Sequence, residues 1–152
     1  ASAKCQLVGV SDKKLTTVFA KVLQKLGSKH VVVVHGEDGM DEISITGKTF
    51  IAELKNNEIS EYTIEPSLFG LKKGNLEDII VTDSEHSKNI ILDILAGNSS
   101  VARDIAVLNA GAAIYVSGLT KDINTGILMA QEKIDDGKAL NKLNQLIEAS
   151  NV

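Results

Sequence analysis

The sequence predicts an α/β fold: a mixed, largely parallel sheet flanked by helices. Three observations predict it. Residues 31–34 are four consecutive valines, and an unbroken β-branched run suits a strand buried on both faces. Before it, Leu15, Val18, Phe19, Val22, Leu23 and Leu26 recur at spacings of three and four, which makes one apolar helical face. Before that, residues 6–10 read as a short apolar strand. Strand, helix and buried strand in this order predict a right-handed βαβ unit.

The remaining elements follow in order. Ser11 or Asp12 is placed to cap the first helix and Gly27 to stop it. A glycine-rich loop over 36–41 leaves the valine strand. Residues 49–54 and 59–64 then form a hairpin through a turn at 55–58, which adds antiparallel pairing to the sheet. The stretch 66–74 is irregular, with Phe69 and Leu71 as anchors into the core. From Asp83 the pattern is helical: Ile90, Ile91, Ile94 and Leu95 form a stripe ending at Gly97. The next helix covers 101–116, and its centre, Asn109-Ala110-Gly111-Ala112-Ala113, is small enough for other backbone to approach closely. This helix is therefore expected to pack on more than one side. Helices at 123–134 and 139–147 flank Gly137, and residues 149–152 are expected to fray.

The chain has 152 residues, 43% hydrophobic and 24% charged, an ordinary balance for one soluble domain with a real core. Sixteen basic against 20 acidic residues, net −4, argue against a nucleic-acid surface, which needs a basic patch. Small phosphorylated ligands remain compatible, because a few backbone amides and a metal can hold them. Cys5 is the single cysteine, so no disulfide framework or zinc spacing exists, and a reducing, cytoplasmic compartment fits. No apolar run approaches a membrane span. The first four residues lead almost directly into a strand, as if the sequence began within something longer.

The chemistry concentrates in His35-Gly36-Glu37-Asp38-Gly39-Met40-Asp41-Glu42. This segment leaves the carboxyl end of the buried strand, the edge where open α/β sheets bind ligands. Glu37, Asp38, Asp41 and Glu42 put four carboxylates into six residues. Like charges this close raise one another's pKa and favour a cation among them, and oxygen donors of this kind suit Mg²⁺. A solvated acidic turn fits the spacing equally well. His35 reads as a hydrogen-bonded structural residue rather than a base. Lys72-Lys73 reads as a surface patch, Arg103-Asp104 as a surface pair, His86 as exposed, and Asn109 as a polar group satisfied by neighbouring backbone. Cys5 has no histidine or basic cluster near it in sequence to make it a nucleophile. The phosphate-loop, dinucleotide, zinc-protease and serine-hydrolase motifs are missing.

Val32-Val33-Val34-His35-Gly36 followed by Gly39-Met40-Asp41-Glu42-Ile43-Ser44 closely resembles the anthranilate phosphoribosyltransferase family. Further stretches match in the same order. Ala3 to Val10 resembles the segment after that family's LGPLTNP run, and Gly47 to Leu54 resembles its GPT…AEL strand. Phe69-Gly70-Leu71 and Leu76-Glu77-Asp78 resemble its next words. Leu108-Asn109-Ala110 with Ala112-Ala113 resembles its LNAAAALY helix, and Asp135-Asp136-Gly137-Lys138-Ala139 its SGKA segment. Cys5 and Lys48 depart from the family's usual residues.

The resemblance implies a fold, the nucleoside phosphorylase/phosphoribosyltransferase fold, of which residues 1–152 would be a partial C-terminal α/β domain without the N-terminal helical domain. It implies an activity: transfer of 5-phosphoribosyl from phosphoribosyl pyrophosphate to anthranilate, in tryptophan biosynthesis. It implies a metal, Mg²⁺, held by Asp41 and Glu42 beside the pyrophosphate, and a homodimer for the complete enzyme. That family's phosphate-cradling Gly-Thr-Gly-Gly-Asp loop, its Lys-His-Gly-Asn segment and its anthranilate-contacting arginine have no counterpart here. The substrate-binding residues are accordingly expected upstream, no catalytic residue is assigned in this chain, and the chain alone is expected to be inactive. Two alternatives stand beside this reading: a non-catalytic or split-protein module of the same fold, and a related ribosyl-transferring enzyme with another acceptor.

Overall fold

The computed structural model describes residues 3–151. Strand β1 (Cys5–Gly9) leads into helix α1 (Lys13–Lys25), then β2 (His30–Gly36). After the loop come β3 (Thr49–Lys55) and β4 (Glu58–Ile64). Four helices complete the chain: α2 (Ser84–Leu95), α3 (Val101–Val116), α4 (Ile123–Asp135) and α5 (Lys138–Ser150). The sheet order is β1-β2-β3-β4. The β1–β2 pair is parallel, whereas β2–β3 and β3–β4 are antiparallel. The expected mixed α/β sheet is present, but its parallel share is one pairing of three, because the hairpin contributes two antiparallel ladders.

The valine strand organises the core. Val31 and Val33 pack under α1 with Ala20, Ala52 and Leu54. Val32 and Val34 point the other way, into a larger cluster with Ile43, Ile45, Val107, Leu108 and Ile127. All four valines are at most 1% exposed, so each contributes about 1.5 kcal/mol or more of burial free energy. Period-two alternation thus feeds two separate clusters from one continuous apolar run.

Local signals account for the element ends. Asp12 caps α1 by accepting from the Lys14 amide, and Gly27 follows at φ +82°. Asp83, Ser100 and Asp122 cap α2, α3 and α4 through the amides of His86, Arg103 and Thr125. The hairpin turn is tighter than the expected four residues. The ladder continues to Lys55 opposite Glu58, and Asn56 and Asn57 take φ +53° and +64°, the type I′ geometry that asparagine tolerates. A 3₁₀ turn, Pro66–Phe69, occupies the irregular stretch, and Phe69 and Leu71 reach the core as expected.

Helix α3 does pack on several sides. Gly111 and Gly126 bring the α3 and α4 backbones together, since a Cβ on Gly126 would overlap the Gly111 carbonyl and one on Gly111 would lie 2.7 Å from the Ile127 Cα. Val107, Leu108 and Ala112 of the same helix face the sheet-side cluster. Helix α5 continues to Ser150, past the expected end at 147. Of the expected fraying stretch, Val152 lies outside the described residues, as do Ala1 and Ser2 at the start.

Arg103 corrects an expectation. It does not pair with Asp104. Its guanidinium donates to Asp135 at 2.6 Å and to the Gly97 carbonyl at 3.2 Å, and its side chain is only 14% exposed. It therefore ties the start of α3 to the ends of α2 and α4. Asp104 is left partly buried, and that burial raises its pKa despite the neighbouring Arg103 charge.

Candidate functional site

The acidic segment becomes a braced loop at the carboxyl end of β2. Gly36 donates to the Met40 carbonyl at 2.8 Å and accepts from Gly39 at 3.0 Å, closing a tight turn. Gly39 takes φ +93°, a conformation glycine adopts without steric cost. Glu37 donates to the Lys48 carbonyl at 2.8 Å, carrying the β2–β3 ladder one step further. Asp38 turns inward: its carboxylate accepts from Ser44 Oγ and Thr46 Oγ1, both at 2.6 Å, and from the Met40 amide at 3.1 Å.

The four carboxylates therefore do not act as one cluster. Burial works against ionising Asp38, but bonds from Ser44, Thr46 and Met40 outweigh it, so its pKa lies below the ordinary carboxylate value. Crowding among like charges would have raised it. Glu37 lies along the Lys48 amide, at 3.4 Å. Among the described residues, no group of three histidine, cysteine or acidic side chains is arranged to hold a metal.

Asp41 and Glu42 are different. Both are exposed, and neither carboxylate has a hydrogen bond or ion pair to a described residue. The loop's backbone bonds end at Met40 and resume at Ile43, so these two residues form its projecting tip. On the far side the chain dives inward: Ile43 and Ile45 are 1% and 0% exposed. The Ser44 amide donates to Thr49 Oγ1 at 2.9 Å. From α3, Asn109 Oδ1 accepts from the Ile43 amide at 2.9 Å, while its Nδ2 donates to the Ile43 carbonyl at 2.9 Å and the Ile105 carbonyl at 3.1 Å. Asn109 is thus satisfied by backbone, as expected, and the backbone it satisfies is that of the candidate loop.

Gly9 seats the tip from beneath. A Cβ there would overlap the Asp41 carbonyl oxygen and lie 2.5 Å from its carbonyl carbon. His35 Nδ1 donates to the Val10 carbonyl at 2.8 Å, joining β2 to the chain just beyond β1. This is the structural bond its position suggested. The donors at the tip, two exposed carboxylates without partners among the described residues, are of the type that Mg²⁺ takes. That ion usually takes one or two carboxylates and fills its other positions with water and phosphate oxygens.

A second polar centre went unread in the sequence. At the opposite end of β2, Glu53 accepts from His30 Nε2 at 2.8 Å, Tyr115 OH at 2.7 Å and Tyr62 OH at 2.8 Å. Lys55 Nζ donates to Tyr115 OH at 2.9 Å. Burial pushes the Glu53 carboxyl up, but bonds from Tyr115, His30 and Tyr62 outweigh it and its pKa is lowered. Burial and the adjacent carboxylate push the Tyr62 hydroxyl well above its ordinary value. Both carboxylate oxygens of Glu53 accept from donors of the protein, so this centre stabilises the fold. Lys73 lies on the surface as expected and pairs there with Glu65 at 3.1 Å, and Cys5 is exposed. No helix among the described residues is long and apolar enough to cross a membrane.

A family model described as "Glycosyl transferase family, a/b domain" matches residues 1–140. The chain belongs to that glycosyl transferase family. Relatives within it carry the name anthranilate phosphoribosyltransferase. That of Methylobacillus flagellatus is 49% identical over 146 residues, 96% of this chain and 43% of the relative. That of Methanococcoides burtonii is 49% identical over the same share of this chain and 41% of its own length. The Saccharomyces cerevisiae anthranilate phosphoribosyltransferase in complex with PRPP and Mg superposes with a TM-score of 0.84 at 26% identity, over 96% of this chain and 43% of that one. The same enzyme with 4-fluoroanthranilate gives 0.84 at 25% identity. The chain therefore spans less than half the length of these relatives. Their fold matches the mixed α/β architecture described above.

Proposed function

We propose that residues 1–152 form the C-terminal α/β part of an anthranilate phosphoribosyltransferase, with Asp41 and Glu42 as its Mg²⁺-binding pair. The observation carrying this reading is the pair itself: two exposed, unpartnered carboxylates on a loop braced on both sides, at the carboxyl end of the central strand. It is supported by the relatives' names and by the yeast enzyme's complex with PRPP and Mg.

In this reaction the bond from the ribosyl C1 to pyrophosphate breaks and a bond from C1 to the anthranilate nitrogen forms. The amine loses a proton and pyrophosphate leaves. Asp41 and Glu42 would hold the ion, and a bound Mg²⁺ would supply neutralisation of the charge on the leaving pyrophosphate. This chain's part is to present two carboxylates from a fixed backbone, so that little reorganisation is needed when the phosphorylated substrate arrives. Phosphate cradling and anthranilate binding belong to segments that these 152 residues do not include. A homodimer and a cytoplasmic location for the complete enzyme are part of the same proposal.

The test is a chimaera in which this chain replaces the matching C-terminal portion of the Methylobacillus flagellatus enzyme. Anthranilate fluorescence should fall on adding PRPP and Mg²⁺. Asp41→Asn with Glu42→Gln should lower kcat/KM by about 10²-fold, the scale for removing one transition-state electrostatic contact. A well-folded chimaera without transfer, or full activity in the double variant, overturns the reading. Turnover by the 152-residue chain alone would overturn the assignment of substrate binding to other segments.

A further inference from the structure

The loop's hydrogen bonds leave a gap at two residues, and the far side of that gap is closed from another layer of the protein. Met40 is fixed through Asp38 Oδ1 and the Gly36 amide. Among the described residues, the hydrogen bonds of Ile43 run only to Asn109, through both of its peptide polar atoms at 2.9 Å. The amide held by Asn109 Oδ1 belongs to the Glu42–Ile43 peptide plane, so the bond orients the residue that bears the second carboxylate. The carboxamide cannot be reversed without cost, because Nδ2 faces two carbonyls, of Ile43 and Ile105, and Oδ1 faces an N–H. The Ile43 side chain is 1% exposed, which holds the same residue from its other end.

We propose that Asn109 is a positioning residue for the metal site. It sets the distance and direction at which Asp41 and Glu42 meet Mg²⁺, without touching metal or substrate. The inference rests on the metal reading given above. It adds that the site's geometry is controlled from α3, 66 residues away in sequence. Helix α3 is itself held against α4 at Gly111 and Gly126, so Asn109 has a rigid base from which to act.

The experiment uses the ¹⁵N-labelled chain with Mn²⁺ alone as probe. In the unsubstituted chain, Mn²⁺ should broaden the Asp41 and Glu42 amides first, then Met40 and Ile43. Asn109→Ala should accelerate exchange of the Ile43 amide at least about tenfold, the effect of losing roughly 1.4 kcal/mol of protection. Exchange at Val32 and Val34 should stay unchanged, and Mn²⁺ broadening at 41 and 42 should weaken severalfold. A merely structural role would accelerate the strand and loop amides together and leave the Mn²⁺ titration unmoved, which would overturn the inference. Asn109→Ser retains a hydroxyl that can serve one Ile43 atom, so it should give intermediate effects. If Asn109→Ala does not fold, an Asn109→Ser chain with Mn²⁺ broadening identical to the unsubstituted chain refutes the proposal. Absence of broadening at Asp41 and Glu42 in the unsubstituted chain refutes the metal reading itself. Broadening that persists unchanged in Asn109→Ala refutes only the role of Asn109.

Discussion

Gly9→Ala should damage the acidic loop although residue 9 is exposed and carries no functional group. The new methyl would overlap the Asp41 carbonyl oxygen, with the carbonyl carbon at 2.5 Å and the Asp41 Cα at 3.1 Å. Ordinary contacts between such atoms are ~3.5 Å or longer, so the loop backbone must retreat by about 2 Å at the carbonyl oxygen. The obstructing atoms are backbone and cannot rotate away. Gly9 itself is held in the ladder opposite Val34, so the strand cannot yield either. Overpacking of this kind costs about 1–3 kcal/mol, and at this chain length each kcal/mol lowers Tm by about 2–4 °C. A fall of roughly 2–12 °C by circular dichroism is expected, with faster exchange at the Ile43 amide and weaker Mn²⁺ broadening at 41–42. Gly47→Ala is the matched control, since only the flexible Glu37 side chain lies within 4 Å of its added Cβ. It should shift Tm by less than about 2 °C. Equal behaviour of the two variants would refute the close approach of Gly9 to Asp41.

Other expectations follow from the same geometry. Glu53→Gln should lower stability by about 2–4 kcal/mol, because it breaks a buried charged network from one side, read by urea denaturation. The folded-state pKa of Glu53 is depressed below 4.5, so its stabilisation is present above that value and is lost as pH falls through the lower folded pKa. The acid limb of stability against pH should therefore be shallower in Glu53→Gln, and an unchanged slope would count against the network. Arg103→Met should cost about 1–3 kcal/mol through the bonds to Asp135 and Gly97, and Asp104→Asn, which lacks those bonds, should cost little in the same titration. Val18, Val22 and Leu26 form an exposed apolar stripe on α1, at 51%, 49% and 72%, so the chain should self-associate with concentration. Sedimentation should show this and Val18→Glu with Val22→Lys should reverse it; a clean monomer at high concentration would contradict it.

Much of this was legible in the sequence because it was written in periodicity. The four valines and the small centre of α3 each state a burial demand that one segment expresses alone, whereas the α1 stripe marks the helix but not its buried side: Thr16 and Ala20 are buried, and Val18, Phe19, Val22 and Leu26 are exposed. Spacing marks only an acidic loop, and it is the family resemblance that singles out Asp41 and Glu42 from its four carboxylates. What stayed hidden depends on partners far along the chain. Nothing near Asn109 names Ile43, and nothing near Gly9 names Asp41. Glu53 reads as an ordinary strand residue until His30, Tyr62 and Tyr115 arrive from three other elements. Arg103 beside Asp104 invited a local pairing, but the nearer carboxylate in space belongs to Asp135. The acidic loop misled in one respect, because Ser44 and Thr46 draw Asp38 away from its neighbours and a count of charges cannot register that.

The sheet's spatial order is the same as its chain order, so each strand can join the one made just before it. The antiparallel ladders are local and quick to form, and the β1–β2 pairing waits only for α1. Helix α3 reaches the sheet layer across longer separations. Its polar links to the sheet layer span 66 residues from Asn109 to Ile43, 62 from Tyr115 to Glu53 and 60 from Tyr115 to Lys55. Long closures of this kind slow folding more than they weaken the finished structure. A chain emerging during synthesis would therefore have its strands in place while the Asp41–Glu42 tip was still loose. The last helix-to-sheet docking would then give the protein its final stability and the metal loop its shape in one event.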